Sequence, residues 1–598
     1  MSNEQVFQVT SQGKLEFDNE VDQWESKFVD ICASMILEHD LPFRFFENAG
    51  VRKYTEFLNP DADIPPRNVI EAYVLHLYTK EKPKLKQELA TIPNRISLTF
   101  DLWESCTTET YICLTAHFVD ANWKLNSKVL NFHLVYPPTG GEMCERVVEL
   151  LNDWGIDKKI FSLTLDDSFE NDILQEQLKT QLALQNRLLC DGEFFHVHSF
   201  ARVLSLIVEE ALKLISHAVV NIRESVMFVR HSESRREKFK ECVEKVGGVE
   251  SSVRLHLDKC NSLNSIYLML ASALKYRRVF ESLHLYDDDY EFCPSTEEWK
   301  RVEKICAFLL PFWETANMIN GTTHPTSNLY FLQVWKIQCV LVESLGDEDK
   351  DIEGMAKRML NKFEKYWEEY SFVLALGAIL DPRMKFSTLA YCYSKLDAST
   401  CERKLQEVKK KLYMLFDKYS SKSTSSGVQR NIEDQSSSMP LKKKLKSLSH
   451  DLFDELKVHH QQLVTKTGKS QLDVYLDESN LDFRCYADMD VLQWWKNNNS
   501  RFPYLSILAR DLLSVPIAIV TSDLEFCMGS RVFNKYKDRV LPKNVETRIC
   551  TRSWLYNFDN DEREEDDDDD FEETMNEIDN DEKMEQATNG FEFEDGDD

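Results

Sequence analysis

The stretch RISLTFDLW, Arg95 to Trp103, restricts the fold of this chain more than any other. Residues 20–90 before it read as helical: apolar residues in VDQWESKFVDICASMILEHDL recur at helical spacing and stop before Pro42. At Ile96 the period changes to two. Ile96, Leu98 and Phe100 alternate with Ser97, Thr99 and Asp101, the pattern of a half-buried strand with Asp101 at its end. TYICLTAHFV and WKLNSKVLNFHLVY follow as strand candidates, with DANW between them as a hairpin turn. GEMCERVVELLNDWG then reads as a helix with Met143, Val147, Val148, Leu151 and Trp154 on one side. IFSLTLDDSFEND opens as an apolar strand that ends at Asp166.

This order of strand, strand, strand, helix, strand places one acid at the end of the first strand and another at the end of the fourth. In a twisted sheet with those strands adjacent, both carboxylates meet at one edge. Such a pair supplies hard oxygen ligands of the kind that hold two Mg²⁺ ions roughly 3.5–4 Å apart in phosphoryl-transfer sites. Each aspartate alone reads equally as a turn former or a helix cap.

The rest of the 598 residues leaves room for several domains. From about Val208 to Tyr419 the pattern is mostly helical, as in EEWKRVEKICAFLLPFWETANMI and CERKLQEVKKKLYMLFDKY, without an internal repeat. Ser420–Pro440 has the composition of a flexible linker. PLKKKLK follows, readable as a nuclear import signal or as a solvated basic run. From Asp559 to Asp598 there are 22 acidic and two basic residues, so this tail carries −20 of the net charge of −30 and is expected to be disordered. It would serve solubility or recruit basic partners.

The body is only mildly acidic. Bulk charge gives no support for nucleic-acid binding, although RHSESRREKFKECVEK would serve either as a basic patch or as a solvated helix face. No apolar run is long enough for a membrane span, and the polar, acidic start is not that of a secretory signal. Fifteen scattered cysteines form no CxxC pair and no zinc spacing, which suggests a reducing compartment and buried thiols.

Longer segments carry a resemblance. They include LPFRFFENAGVRKYTEFLNP, RISLTFDLWESCTTETYICLTAHFVDANWKLNSKVLNF, WGIDKKIFSLTLDD, PTSNLYFLQVWKI and LALGAILDPRMKF. The block from QLDVYLDE through FPYLSILARDLLSVPIAIVTSD to TRICTRSWL completes them. On these the chain resembles, from about Phe28 to Phe558, the hAT superfamily of transposases, especially the plant zinc-finger-BED, RICESLEEPER-type transposase-like proteins. The resemblance implies an α/β plus α fold: an RNase H-like core interrupted by a large all-helical insertion, with a C-terminal hAT dimerisation region. The implied domains are an N-terminal helical region at 1–94, the first part of the core at 95–208, the insertion at 209–419 and a Ser/Lys-rich linker at 420–450. Core completion with dimerisation follows at 451–558, and the acidic tail at 559–598.

The family's first acid, in a DLW[TS] context, falls on Asp101, and its second, usually in LDNAS, on Asp166 within LDDSF. Its third, a Glu after Ser, falls on Asp523 in VTSDLEF, while Glu525 takes the place of a small residue. Asp is one methylene shorter than Glu, and on a helix positions two apart do not share a face, so Glu525 is no simple substitute. The family's Cys-x-x-His motif reads Ser199 and Arg202 here, with His198 for Arg; Ser262 and Leu263 stand for Arg and Trp.

These departures imply a relative that has lost strand-transfer chemistry, so no enzyme and no cofactor are expected; Mg²⁺ would enter only if the triad works. Before residue 100 Cys32 is the single cysteine, so no BED finger and no structural zinc are expected. The implied partners are a second copy or a related hAT-like protein, with DNA as a further one, in the nucleus and not at a membrane. Trp494, Trp495, Phe502, Leu505, Trp554 and Leu555 are candidates for the dimer interface and equally for the domain's own core. The alternative is an active Mg²⁺-dependent transposase using Asp101, Asp166 and Asp523.

Overall fold

Five strands form one mixed sheet in the order β3-β2-β1-β4-β5. They are β1 (Ile96–Glu104), β2 (Thr110–Val119), β3 (Leu125–Val135), β4 (Ile160–Leu165) and β5 (His196–His198). The first three make an antiparallel meander, and β4 and β5 add in parallel. The β2–β3 turn is the expected DANW: Asp120 Oδ1 accepts the N–H groups of Asn122 (2.8 Å) and Lys124 (2.9 Å). The computed structural model describes residues 20–39, 41–60, 64–104, 110–166, 169–212, 217–248, 254–258, 263–320, 326–421, 469–516, 519 and 542–556. Most of the linker, the PLKKKLK run, Ser262, Asp523, Glu525 and the acidic tail lie outside the described residues.

Three helices precede the sheet: α1 (Glu20–Glu38), α2 (Ala49–Leu58) and α3 (Arg67–Thr91). The crossover from β3 to β4 is α4 (Gly140–Trp154), capped by the Thr139 hydroxyl and stopped by Gly155 in the left-handed region at φ 68°. Met143, Val147, Leu151 and Trp154 of α4 are buried as their spacing predicts. With α5 (Phe169–Leu184) and the end of α3 they cover the sheet face bearing Leu98, Phe100, Ile112, Leu114, Leu163 and Leu165.

The other face departs from the half-buried expectation. Ser97, Thr99, Asp101, Ser162 and Thr164 are buried as well. Their cover comes from far along the chain: Thr164 Oγ1 donates to the Pro516 carbonyl at 2.6 Å. A period-two pattern reports the polarity of a face, and here a polar face is covered, with Thr164 bonded to a later segment and Thr99 to His117 of β2.

After β5 the chain is helical: α6 (Phe200–Leu212), α7 (His217–Arg230), α8 (Glu233–Val246), α9 (Leu263–Lys275), α10 (Arg277–Leu283), α11 (Thr296–Asn320), α12 (Ser327–Ser344), α13 (Lys350–Ile379), α14 (Lys385–Leu396) and α15 (Ala398–Ser421). The C-terminal block adds α16 (Gln471–Asp477), α17 (Val491–Asn498), α18 (Pro503–Leu513) and α19 (Pro542–Tyr556). The RNase H-like core with a large helical region and a C-terminal helical block is therefore as the sequence indicated. One apolar core runs from α6 through α18. Among the described residues no helix is long and apolar enough to cross a membrane.

α19 returns to the sheet and covers the outer edge of β3. Trp554 Nε1 donates to the Val129 carbonyl at 2.7 Å, and the Val129 N–H donates to Ser553 Oγ at 2.9 Å. Lys128 Nζ donates to the Ser553 carbonyl at 3.0 Å. An edge strand with unpaired backbone groups invites pairing with another chain; these bonds blunt that edge.

Candidate functional site

The two aspartates meet as the strand order requires. β1 and β4 are parallel neighbours with Thr99 opposite Thr164. Asp101 and Asp166 each lie two residues further on, so both belong to the face of Thr99 and Thr164, on adjacent strands roughly 5 Å apart. Asp101 is 7% exposed and Asp166 is half-buried. Asn171 Nδ2 donates to the Asp166 carbonyl at 2.9 Å and fixes the turn into α5. Beside Asp101 the polar layer continues across β2, where Thr99 Oγ1 and His117 Nε2 are 3.1 Å apart.

The C-terminal block reaches this strand end through Ser199. Its N–H donates to the Leu165 carbonyl at 2.9 Å, next to Asp166, and its Oγ accepts the Ile519 N–H at 3.3 Å. Four residues, at most roughly 14 Å of chain, separate Ile519 from Asp523, which is outside the described residues. Arg202, the other altered motif position, pairs with Glu209 at 3.7 Å. Leu263 begins α9. Two neighbouring carboxylates have the right donor chemistry for a hard divalent cation. Among the described residues no group of three or more His, Cys, Asp or Glu side chains converges to hold a metal.

A second polar centre escaped the sequence reading of individual residues, although its segment, LALGAILDPRMKF, was noted. It occupies the turn between α13 and α14. Asp381, fully buried, pairs with Arg383 (Nη2 to Oδ2, 2.7 Å) and accepts from Asn328 Nδ2 at 2.9 Å. Arg383 Nη1 donates to the carbonyls of Tyr486 (3.1 Å) and Ala487 (3.0 Å). Lys385, buried, donates Nζ to the carbonyls of Tyr475 (2.6 Å) and Glu478 (2.8 Å) at the end of α16.

Its backbone is held in the left-handed region at φ 47°, a strain that places that ammonium. Burial, with Arg501 nearby, pulls the Lys385 pKa down to about 8, and the Asp381 carboxylate holds that of Arg383 up. One helical turn before this centre, Gly377 is obligatory: a Cβ there would meet Ser327 Oγ at 2.3 Å, and that hydroxyl donates to the Leu512 carbonyl at 2.8 Å.

The candidate interface residues divide. Trp495, Phe502 and Leu505 are fully buried in this chain's core, and Trp495 Nε1 donates to the Leu380 carbonyl at 2.8 Å. Trp554 stacks on Tyr78 with ring centroids 5.0 Å apart. Trp494 is half-buried, its ring edge-on to Tyr475, and Leu555 is exposed. The basic stretch on α8 is taken up in this chain: Lys238 pairs with Asp287 at 3.1 Å, Lys245 with Glu241 at 2.5 Å, and Arg235 lies 3.9 Å from the Phe228 ring centroid.

Four family models match the chain: the ZBED1 RNase-like domain at 99–194, the ZBED1 RNase-like helical domain at 197–308, the hAT-like transposase, RNase-H fold at 328–419, and the hAT family C-terminal dimerisation region at 471–555. The zinc finger BED domain-containing protein RICESLEEPER 2 of Oryza sativa subsp. japonica is 33% identical, over 88% of this chain and 73% of its own length. The zinc finger BED domain-containing protein DAYSLEEPER of Arabidopsis thaliana is 31% identical over the same shares. A putative AC transposase of Zea mays is 29% identical over 87% of this chain and 64% of its own length. With the sheet order, the helical insertion and the docked C-terminal block in agreement, the chain belongs to the hAT family of transposase-like proteins.

Proposed function

We propose that this protein is a nuclear, transposase-derived association module that has lost strand-transfer chemistry. It pairs with a second copy or with a related hAT-like protein, and DNA contact is secondary. The observation that carries this reading is the anchoring of the dimerisation region in the body through Arg383, Lys385 and Trp495. A region seated by buried, fully engaged charges presents a fixed surface to a partner.

Loss of chemistry rests on the acid set. Asp523 sets its carboxylate back by roughly 1.5 Å relative to a Glu. A misplacement near 1 Å costs on the order of 100-fold in rate. Where the resemblance expects Cys and His, Ser199 bonds the C-terminal block and Arg202 makes a partly exposed pair with Glu209 within α6. No cofactor and no structural zinc enter this reading. Nuclear entry would use PLKKKLK. Sedimentation equilibrium of the full chain, alone and mixed with a finger-bearing relative, is expected to show a dimer in at least one case. A monomer in both, at every concentration, contradicts the proposal.

One observation favours a second reading, an active DNA transposase: Asp101 and Asp166 share a face on neighbouring strands. In that case the two carboxylates, with Asp523, would hold Mg²⁺, which would stabilise charge on the reacting phosphate oxygens. Metal-dependent nicking of DNA separates the two readings.

A further inference from the structure

No side chain of α2 is fully buried. Tyr54 is 65% exposed, Phe57 86% and Leu58 63%. The three are spaced i, i+3, i+4 and form one apolar stripe. A helix of ten residues is marginal in water by itself, and α2 packs chiefly against the short 3-10 turn Phe45–Glu47. A stripe of this kind, on a helix with so little support, calls for an outside partner.

The surroundings say which. Val51 of α2 joins the apolar cluster of α1 and α3, and so does Tyr556 at the end of α19. Arg548 of α19 lies 5.6 Å from the Phe43 ring centroid in the same layer. All of α19 but its last residue, Tyr556, falls within the stretch matching the hAT dimerisation region, residues 471–555. α2 and the end of α19 therefore pack on one layer, and α19 carries the exposed Leu555. Charge gives a nucleic-acid partner little support: α2 carries Arg52 and Lys53 against Glu56, a net of +1, on a mildly acidic body.

We propose that the Tyr54–Phe57–Leu58 stripe of α2 forms part of the interface between two copies of this chain, extending the C-terminal dimerisation region onto the N-terminal layer. This rests on the reading that the chain self-associates. A symmetric dimer uses the same patch on both copies, so a self-complementary apolar stripe suits it.

The test is sedimentation equilibrium of the full chain as wild type, Phe57→Ser and Tyr54→Ser, with Leu555→Ser as the α19 control. Hydrogen exchange of amides 49–58 at low and high protein concentration accompanies it. Both α2 residues are exposed, so the variants should keep the wild-type circular dichroism. The expected result is a dimer dissociation constant raised tenfold or more by Phe57→Ser, with α2 amides more protected at high concentration. Unchanged dissociation constants and protection, with Leu555→Ser still weakening the dimer, would overturn the proposal and leave C-terminal dimerisation standing. Loss of duplex DNA binding by Phe57→Ser at constant dissociation constant would overturn it in favour of a DNA surface. A wild-type monomer at every concentration would remove both this proposal and the self-association beneath it.

Discussion

Two charged centres of this molecule use the same residue types to opposite ends. At the turn between α13 and α14, Asp381, Arg383 and Lys385 are buried and each is bonded to its neighbour or to a carbonyl of the C-terminal block. Asp101 lies inside β1, which runs on to Glu104 rather than ending at the acid as its pattern suggested, and Asp166 directly follows the neighbouring β4. The first arrangement holds the dimerisation region in place. The second sets two carboxylates on one side of the sheet, a donor pair of the kind a hard divalent cation takes. The difference separates what the transposase ancestry left as architecture from what it left as chemistry.

Substitution should expose that contrast most strongly at Arg383. Arg383→Ala strands the buried Asp381 carboxylate and is expected to destabilise by about 3–5 kcal/mol in urea unfolding. Asp101→Asn, at the other centre, should cost about 1 kcal/mol or less, because an amide of the same shape replaces the carboxylate without stranding a buried ion-pair partner. Equal losses at both would break the comparison.

Ser199 links the strand end to the C-terminal block. Ser199→Ala leaves the buried Ile519 N–H without its acceptor and should cost about 1–3 kcal/mol. Limited proteolysis after residue 519 should quicken in step; an unchanged digestion pattern would show that Ser199 does not hold the segment.

The pH dependence sharpens the first centre. Lys385 has a folded pKa of about 8 against an ordinary 10.5, so between those values the unfolded chain binds more protons. Its burial penalty is complete below pH 8 and fades as pH rises through the window. Unfolding free energies measured from pH 7.5 to 9.5 should therefore climb for wild type relative to Lys385→Met. Parallel curves would mean the ammonium is not desolvated. The smallest effect belongs to α8: Arg236→Ala removes an exposed pair with Glu233 and should leave the unfolding midpoint unchanged.

Much of the sheet was legible from local pattern. The alternation at Ile96, the DANW turn, the amphipathic spacing of α4 and the acid that follows β4 are set by neighbours in sequence; β1 runs past Asp101 to Glu104 because β2 pairs with it that far. What escaped the reading depends on distance along the chain. Asp381, Arg383 and Lys385 look like surface charges because their partners, Asn328, Tyr475, Glu478 and Tyr486, lie on remote segments. The polar side of β4 and the turn after β5 read as exposed because their cover arrives with Pro516 and Ile519. β5, at three residues, is too short for a period to register. Of the two aspartates, pattern gave the positions, and the parallel register of β1 with β4 gave the shared face. Trp494 and Trp495 are adjacent and alike in sequence; only the packed helix tells that Trp495 points into the core.

The most direct test of lost chemistry is a DNA nicking and end-joining assay on the folded full chain with Mg²⁺ or Mn²⁺, with Asp101→Ala beside it. The account predicts no metal-dependent product from wild type and no difference between the two proteins. Cleavage that needs the metal and disappears in Asp101→Ala would mean that Asp523 completes a working triad, and the reading as an association module without strand transfer would be wrong.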